Sequence, residues 1–186
     1  MKYNITKDEI LHEVLHINPP VFVDERGWFK ELYSLEEIGV EIGPFPLASY
    51  SRTIRMGSVR GLHYQEGEHA QGKLVACTRG SIFDVAVDIR VDSPTFGKWT
   101  KANLSENNHS MIWIPPGYAH GFQTLEDDVE ILYFSSNAYR PNSEKIITIH
   151  DDILGINWPL PVADMSKKDL EGVKLNDLLL SKVEFY

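Results

Sequence analysis

The sequence predicts an all-β chain, an antiparallel sandwich or barrel of the jelly-roll kind with roughly ten strands. Two observations carry this. From Val21 onward, short runs alternate apolar and polar residues with period two and are separated by Gly, Pro and Asn punctuation. Helical periodicity, by contrast, is confined to the two ends, which predicts short terminal helices.

Thr6-Lys7-Asp8-Glu9 ahead of Ile10 and Leu11 reads as a capping box opening a short helix, while Val14-Leu15-His16-Ile17 running into Pro19-Pro20 reads equally as a strand. "SIFDVAVDI" places Phe83, Val85, Val87 and Ile89 on one face and Asp84, Ala86 and Asp88 on the other. "HSMIWIPPGYAHGFQTL" and "DVEILYFSS" alternate in the same way, with "SENN" and "EDD" as turns. In "MSKKDLEGVKLNDLLL", Leu170, Val173 and Leu178 to Leu180 predict a short helix or two packed on the barrel, opened by Ser166 and Asp169, which can accept from free N–H groups of a first turn. There is no repeat, low-complexity tract or linker, so residues 1–186 are expected to form one domain.

Eighteen Lys and Arg against 27 Asp and Glu give a net charge of −9, a balance that repels phosphate backbones and argues against nucleic-acid or anionic-membrane binding. Cys77 is the sole cysteine, expected as a buried thiol with no intrachain disulfide, which fits a reducing cytoplasm. The N-terminal apolar residues are interrupted by charges, unlike a signal peptide, and no apolar run is long enough to span a bilayer.

Polar side chains sit inside runs that otherwise read as core. Arg60, His63 and Lys73 lie within Ser58 to Arg90, where a polar pocket lined by strand side chains would explain them. Ideal pleating sends Arg60 and His63 to opposite faces, so a shared pocket requires a bend, with Gly61 as its candidate. In "WIPPGYAHGF", Pro115-Pro116-Gly117 turns a tight corner ahead of His120, the spacing many cupin barrels use for a metal-binding histidine. The His-x-His pair of a metal cupin is replaced by His63-Tyr64-Gln65, and a metal held by His63, Glu68, His69 and His120 would face like charge from Arg60 and Lys73. No metal is therefore assigned. Tyr133 and Tyr139, each taken alone, read as aromatics whose hydroxyls reach a rim.

Taken together, "DERGWFKE" (24–31), "RGLHYQ" (60–65), "QGKLV" (71–75), "GSIFDVAVDIRVDSPTFGKW" (80–99), "IPPGYAHGF" (114–122), Tyr133, Tyr139, "GINWP" (155–159) and "SKKD" (166–169) resemble, in order and spacing, the dTDP-4-dehydrorhamnose 3,5-epimerase family. The resemblance runs from about Val21 to Asp169. It implies a cupin-type jelly roll (double-stranded β-helix), a homodimer, a cytoplasmic enzyme of deoxysugar synthesis, and no metal or organic cofactor. By the same resemblance His63 matches the general base, Asp169 its carboxylate partner, Lys73 the enolate-stabilising cation and Tyr133 the proton donor on the opposite face. Arg60 and Arg26 match pyrophosphate-binding arginines. Phe29 and Glu31, supplied by the neighbouring subunit in the family, and Tyr139 match groups around the base, while His120 and Glu144 match pocket positions.

Where the family reads Gln-x-Asn-x-Ser-x-Ser, this chain places Ala48, Tyr50, Arg52 and Ile54, which makes Tyr50 and Arg52 candidate substrate contacts and implies an altered nucleotide or sugar. The expected activity is inversion of C3, C5 or both in a nucleotide-diphospho-4-keto-6-deoxy sugar. Its rivals are a ketoisomerase moving the carbonyl from C4 to C3 on the same barrel, a non-catalytic sugar-nucleotide-binding cupin, and a metal-dependent cupin.

Overall fold

The computed structural model describes residues 2–38, 42–181 and 185. Thirteen strands are present among them: β1 (Asn4–Lys7), β2 (Leu15–Asn18), β3 (Val21–Asp24), β4 (Gly27–Lys30), β5 (Leu47–Thr53), β6 (Val59–Gln65), β7 (Lys73–Arg79), β8 (Ser81–Asp88), β9 (Trp99–Ser105), β10 (Met111–Ile114), β11 (Tyr118–Thr124), β12 (Val129–Ser135) and β13 (Glu144–Ile146). The helices are short: α1 (Leu35–Ile38), α2 (Lys167–Leu170) and α3 (Leu175–Ser181). One sheet runs β1-β2-β10-β7-β12-β5 and the facing one β13-β6-β11-β8-β9, with β3 and β4 forming a separate hairpin.

The strand reading of Val14 to Ile17 prevails over the helix. Asp8 folds the intervening turn back on itself by accepting the N–H groups of Ile10 and Leu11 at 2.9 and 2.8 Å. Ser166 caps α2 as expected, accepting from the N–H of Asp169. Within the C-terminal cluster the buried leucines are Leu175 and Leu178, whereas Leu170, Val173 and Leu180 are exposed.

Three apolar layers result, because both faces of the central strands are covered. Val75, Cys77, Ile82, Ala86, Ile112 and Ile131 fill the space between the sheets. Val59, Leu62, Val85 and Val87 pack outward under Ile147, Leu175 and Leu178. Leu15, Ile17, Leu74, Met111 and Trp113 pack outward on the other side, under Ile38, Tyr33 and Phe45. Each fully buried Leu, Ile or Val contributes about 1.5–3 kcal/mol relative to exposure. The polar set of β8 predicted from alternation thus faces the interior, and its apolar set faces an outer layer.

That inversion positions the site. Ladder register lines up Ser49, Tyr133, Val75, Ile112 and His16 across the inner face of one sheet. Opposite them, Ile146, His63, His120, Ala86 and Thr100 cross the inner face of the other. The ladder between β6 and β11 slips once, with two residues, Gly61 and Leu62, between Arg60 and His63 opposite the single Gly121 between His120 and Phe122. This bulge turns Arg60 and His63 to the same side. Gly61 sits in it at φ +116°, and a Cβ there would lie 2.6 Å from the His120 carbonyl oxygen and 2.7 Å from Gly121 Cα.

Gly61→Ala is therefore expected to destabilise the protein by about 1–3 kcal/mol through overpacking, with further strain from the positive φ. A urea midpoint unchanged from the parent at equal slope would contradict this account of the bulge.

Candidate active site

The inner faces of β5, β6, β7, β11 and β12 wall a cavity of about 280 Å³ that contains His63, Lys73, His120 and Tyr133 together. It opens into a second lobe of about 350 Å³ through the shared side chains of Arg60, His63, Tyr139 and Glu144. His63 and His120 stand on the five-stranded sheet, Lys73 and Tyr133 on the six-stranded one.

His63 Nε2 lies 2.5 Å from Oδ1 of Asp169, which the capped first turn of α2 holds in place. Burial would raise the Asp169 pKa, but the His63 hydrogen bond and charge, with help from Ser166 and the Gly61 N–H, hold it below the ordinary carboxylate value. With Nε2–H donated to that carboxylate, Nδ1 is the ring nitrogen able to accept a proton.

The Lys73 ammonium makes no hydrogen bond or ion pair among the described residues. Desolvation pulls its pKa down to about 8, against the upward pull of the Glu144 and Asp84 charges. The Tyr133 hydroxyl shares a hydrogen bond of 3.1 Å with Ser51 Oγ. Burial pushes its pKa well above that of free tyrosine, partly offset by Ser51. His120 is almost completely buried, its Nε2 2.8 Å from Oδ2 of the fully buried Asp84. Arg60 is steered by Thr53 Oγ1, 2.9 Å from its Nε. Glu144 accepts from the Tyr139 hydroxyl at 2.6 Å and pairs with Lys168.

Two groups of candidates fall elsewhere. Tyr50 and Arg52 do not line the cavity: they project from the opposite face of β5, Tyr50 bonded to Glu130 and Arg52 to Asp128 at 2.5 and 3.1 Å. The reason is parity, since a one-residue offset exchanges the faces of a strand. The inward side chains are Leu47, Ser49 and Ser51, with Thr53 next in line on Arg60. They stand one place before Ala48, Tyr50, Arg52 and Ile54, so the polar groups that β5 offers the cavity are the hydroxyls of Ser49 and Ser51. Arg26, Phe29 and Glu31 are also absent from the cavity wall. Arg26 is clamped to Asp24 at the exposed β3–β4 hairpin, where Phe29 is 61% exposed. Glu68 and His69 pair with each other at 3.7 Å away from the cavity, and no group of three or more metal-ligating side chains assembles among the described residues.

Sequence reasoning missed Asp84, Ser51 and Lys168. Asp84 carried a usable signal, a carboxylate in the middle of an otherwise largely apolar strand; the inward set of β5 required knowing the register.

The family model described as dTDP-4-dehydrorhamnose 3,5-epimerase matches residues 8–177. The dTDP-4-dehydrorhamnose 3,5-epimerase of Salmonella typhimurium is 45% identical, covering 91% of this chain and 94% of its own. The crystal structure of dTDP-6-deoxy-D-glucose-3,5-epimerase from Legionella pneumophila, in complex with dTDP-4-keto-L-rhamnose, superposes with a TM-score of 0.90 at 39% identity, covering 99% of this chain and 98% of the other. A 4-keto-6-deoxy sugar epimerase from the novobiocin gene cluster of Streptomyces spheroides also superposes at 0.90, at 30% identity, covering 98% and 92%. With the jelly roll and the shared cavity in place, this chain belongs to the dTDP-4-dehydrorhamnose 3,5-epimerase family of cupin-type epimerases.

Proposed function

We propose that this protein inverts C3, C5 or both of a dTDP-linked 4-keto-6-deoxy sugar by removing a proton from carbon and returning one on the opposite face, in cytoplasmic deoxysugar synthesis. The observation that carries the reading is the confrontation of His63 and Tyr133 across one cavity, on different sheets, with Lys73 beside them. A sugar ring inserted between the sheets meets a base on one side and an acid on the other.

Each group has a defined task. His63 Nδ1 takes the proton from the carbon next to the C4 ketone, and Asp169 stabilises the imidazolium that forms. The electron pair moves onto the ketone oxygen, where the ammonium of Lys73 receives it. Because Lys73 is not already engaged by a carboxylate, its hydrogen bonds are available to that oxygen. Such a preorganised donor is worth about 2.7–4 kcal/mol of barrier, or about 10²–10³ in rate. Tyr133 protonates the carbon from the other side, and the ketone is restored. Arg60, at the junction of the two lobes, is placed to receive the diphosphate bidentately.

We further infer a homodimer in which Arg26, Phe29 and Glu31 complete the partner's nucleotide site. The β3–β4 hairpin supports this, since Phe22, Val23, Trp28 and Phe29 all lie exposed on it, an unusual concentration of apolar surface for a free hairpin.

Incubation with dTDP-4-keto-6-deoxyglucose in D2O should place deuterium at C3 or C5 of the product. His63→Ala should abolish exchange, while Tyr133→Phe should retain exchange and lose inversion. Inversion by Tyr133→Phe at the parental rate would remove the acid role, and absence of exchange with the parent protein would remove the activity. Since the ammonium form of Lys73 is the useful one, kcat/KM should decline as pH rises through about 8. In Glu144→Gln, which deletes a charge that raises the Lys73 pKa, that limb should move to lower pH. A limb that stays in place or moves upward would assign the titration to another group. Light scattering should give twice the chain mass, and Phe29→Asp should raise KM or yield monomer; a monomeric, fully active parent would refute the shared site.

A further inference from the structure

The reaction above leaves the enzyme one proton out of place. After an inversion His63 has gained a proton and Tyr133 has lost one. His63, with its side chain 29% exposed, can return its proton to water. Tyr133 is less favourably placed: it packs half-buried against the inner core, its hydroxyl has only Ser51 as a hydrogen-bond partner among the described residues, and burial disfavours a phenolate there. Something near it must supply a proton before the next inversion.

Asp84 and His120 are the group that fits. Asp84 projects inward from β8 and is fully buried; Oδ2 is held by His120, while Oδ1 has no hydrogen-bond partner among the described residues. An ionised carboxylate with one oxygen unpaired in the interior is expensive, and a proton shared with the adjacent imidazole relieves that cost. Burial raises the Asp84 pKa, and the charges acting against this come from His120 on β11, Lys73 on β7 and His16 on β2. Tyr133, on β12, feels the Asp84 charge in turn. His120 also forms part of the cavity wall, its ring edge-on to that of Tyr133 with centroids 6.3 Å apart. The pair is thus a buried imidazole–carboxylate couple beside the proposed acid, distinct from His63 and Asp169.

We propose that Asp84 and His120 hold one buried proton in common and return it to the Tyr133 phenolate after each inversion. This rests on the epimerase reading. The step balances: an N–H or O–H bond of the pair breaks, the phenolic O–H forms, and the pair recovers its proton from water when product leaves. The proton that His63 took from carbon goes to water, so the enzyme ends unchanged. Asp84 acts through His120 and is a positioning residue for the stored proton. Such a store lets inversions at C3 and C5 follow one another without opening the site between them.

The test is a pre-steady-state measurement on Asp84→Asn with dTDP-4-keto-6-deoxyglucose in D2O, at a pH well below the Lys73 limb, which loss of the Asp84 charge also moves down. Asparagine keeps the shape and the contact with His120 but cannot carry the proton. The expected result is one inversion per site at a rate within about threefold of the parent, followed by steady turnover slower by about tenfold or more. Asp84→Ser, measured in the same way, should give the same burst-then-slow pattern and replaces Asp84→Asn if that variant does not fold. Loss of the burst in parallel with steady turnover would indicate a structural role and overturn the proposal, as would steady turnover of both variants within about twofold of the parent. Because the parent is run alongside, failure of the parent to exchange or invert at all would reject the epimerase activity itself, whereas a normal parent with normal variants would reject the proton store alone.

Discussion

A half-buried cation with no carboxylate bonded to it among the described residues is the most demanding feature of this barrel, and the site is arranged around it. Lys73 opens β7, whose alternate residues Val75 and Cys77 face the core and whose Leu74 and Ala76 face an outer apolar layer. The strand tolerates an inward ammonium because it stands at the edge of the polar cavity, with Glu144 and Asp84 near enough to act on its charge but not bonded to it. A direct ion pair would be more stable and less useful, since its hydrogen bonds would already be taken. Desolvation brings the lysine to about 8, which keeps it largely protonated near neutrality.

The second constraint is that the proposed acid and base stand on different walls. Cross-strand register assigns Tyr133 to one sheet and His63 to the other, so in the mechanism we propose the two faces of the sugar are served by the sandwich itself. The bulge at Gly61 brings Arg60 round to the same cavity, linking the ring-binding lobe to the lobe suited to the diphosphate. Asp169 reaches His63 from α2, beyond the last strand, so the C-terminal cap of the barrel belongs to the site as much as the strands do.

Much of this was legible in the chain. Period-two alternation fixed the all-β class, and Gly61 was identifiable as the bend because two polar residues three apart cannot share a face otherwise. Face assignment was harder. The two faces of β8 follow from its alternation, yet which set faces inward depends on a second apolar layer that the folded C-terminal segment helps supply. On β5 a one-residue offset sent attention to Tyr50 and Arg52 when Leu47, Ser49 and Ser51 line the cavity. Alternation defines two faces and does not name the inner one; the pairing of Ser49 with Tyr133 does. Arg26 and Phe29 belong to the β3–β4 hairpin and Glu31 follows it directly, outside the cavity of their own chain.

The central claim, that the ketone oxygen of a bound sugar meets Lys73 while its ring lies between His63 and Tyr133, is tested most directly by a crystal structure with a dTDP-linked 4-keto sugar. The account predicts the ketone oxygen within about 3 Å of Lys73 Nζ, a ring carbon facing the His63 imidazole and the Tyr133 hydroxyl over the opposite ring face. A sugar held outside the two sheets, or a ketone oxygen turned away from Lys73, would contradict it.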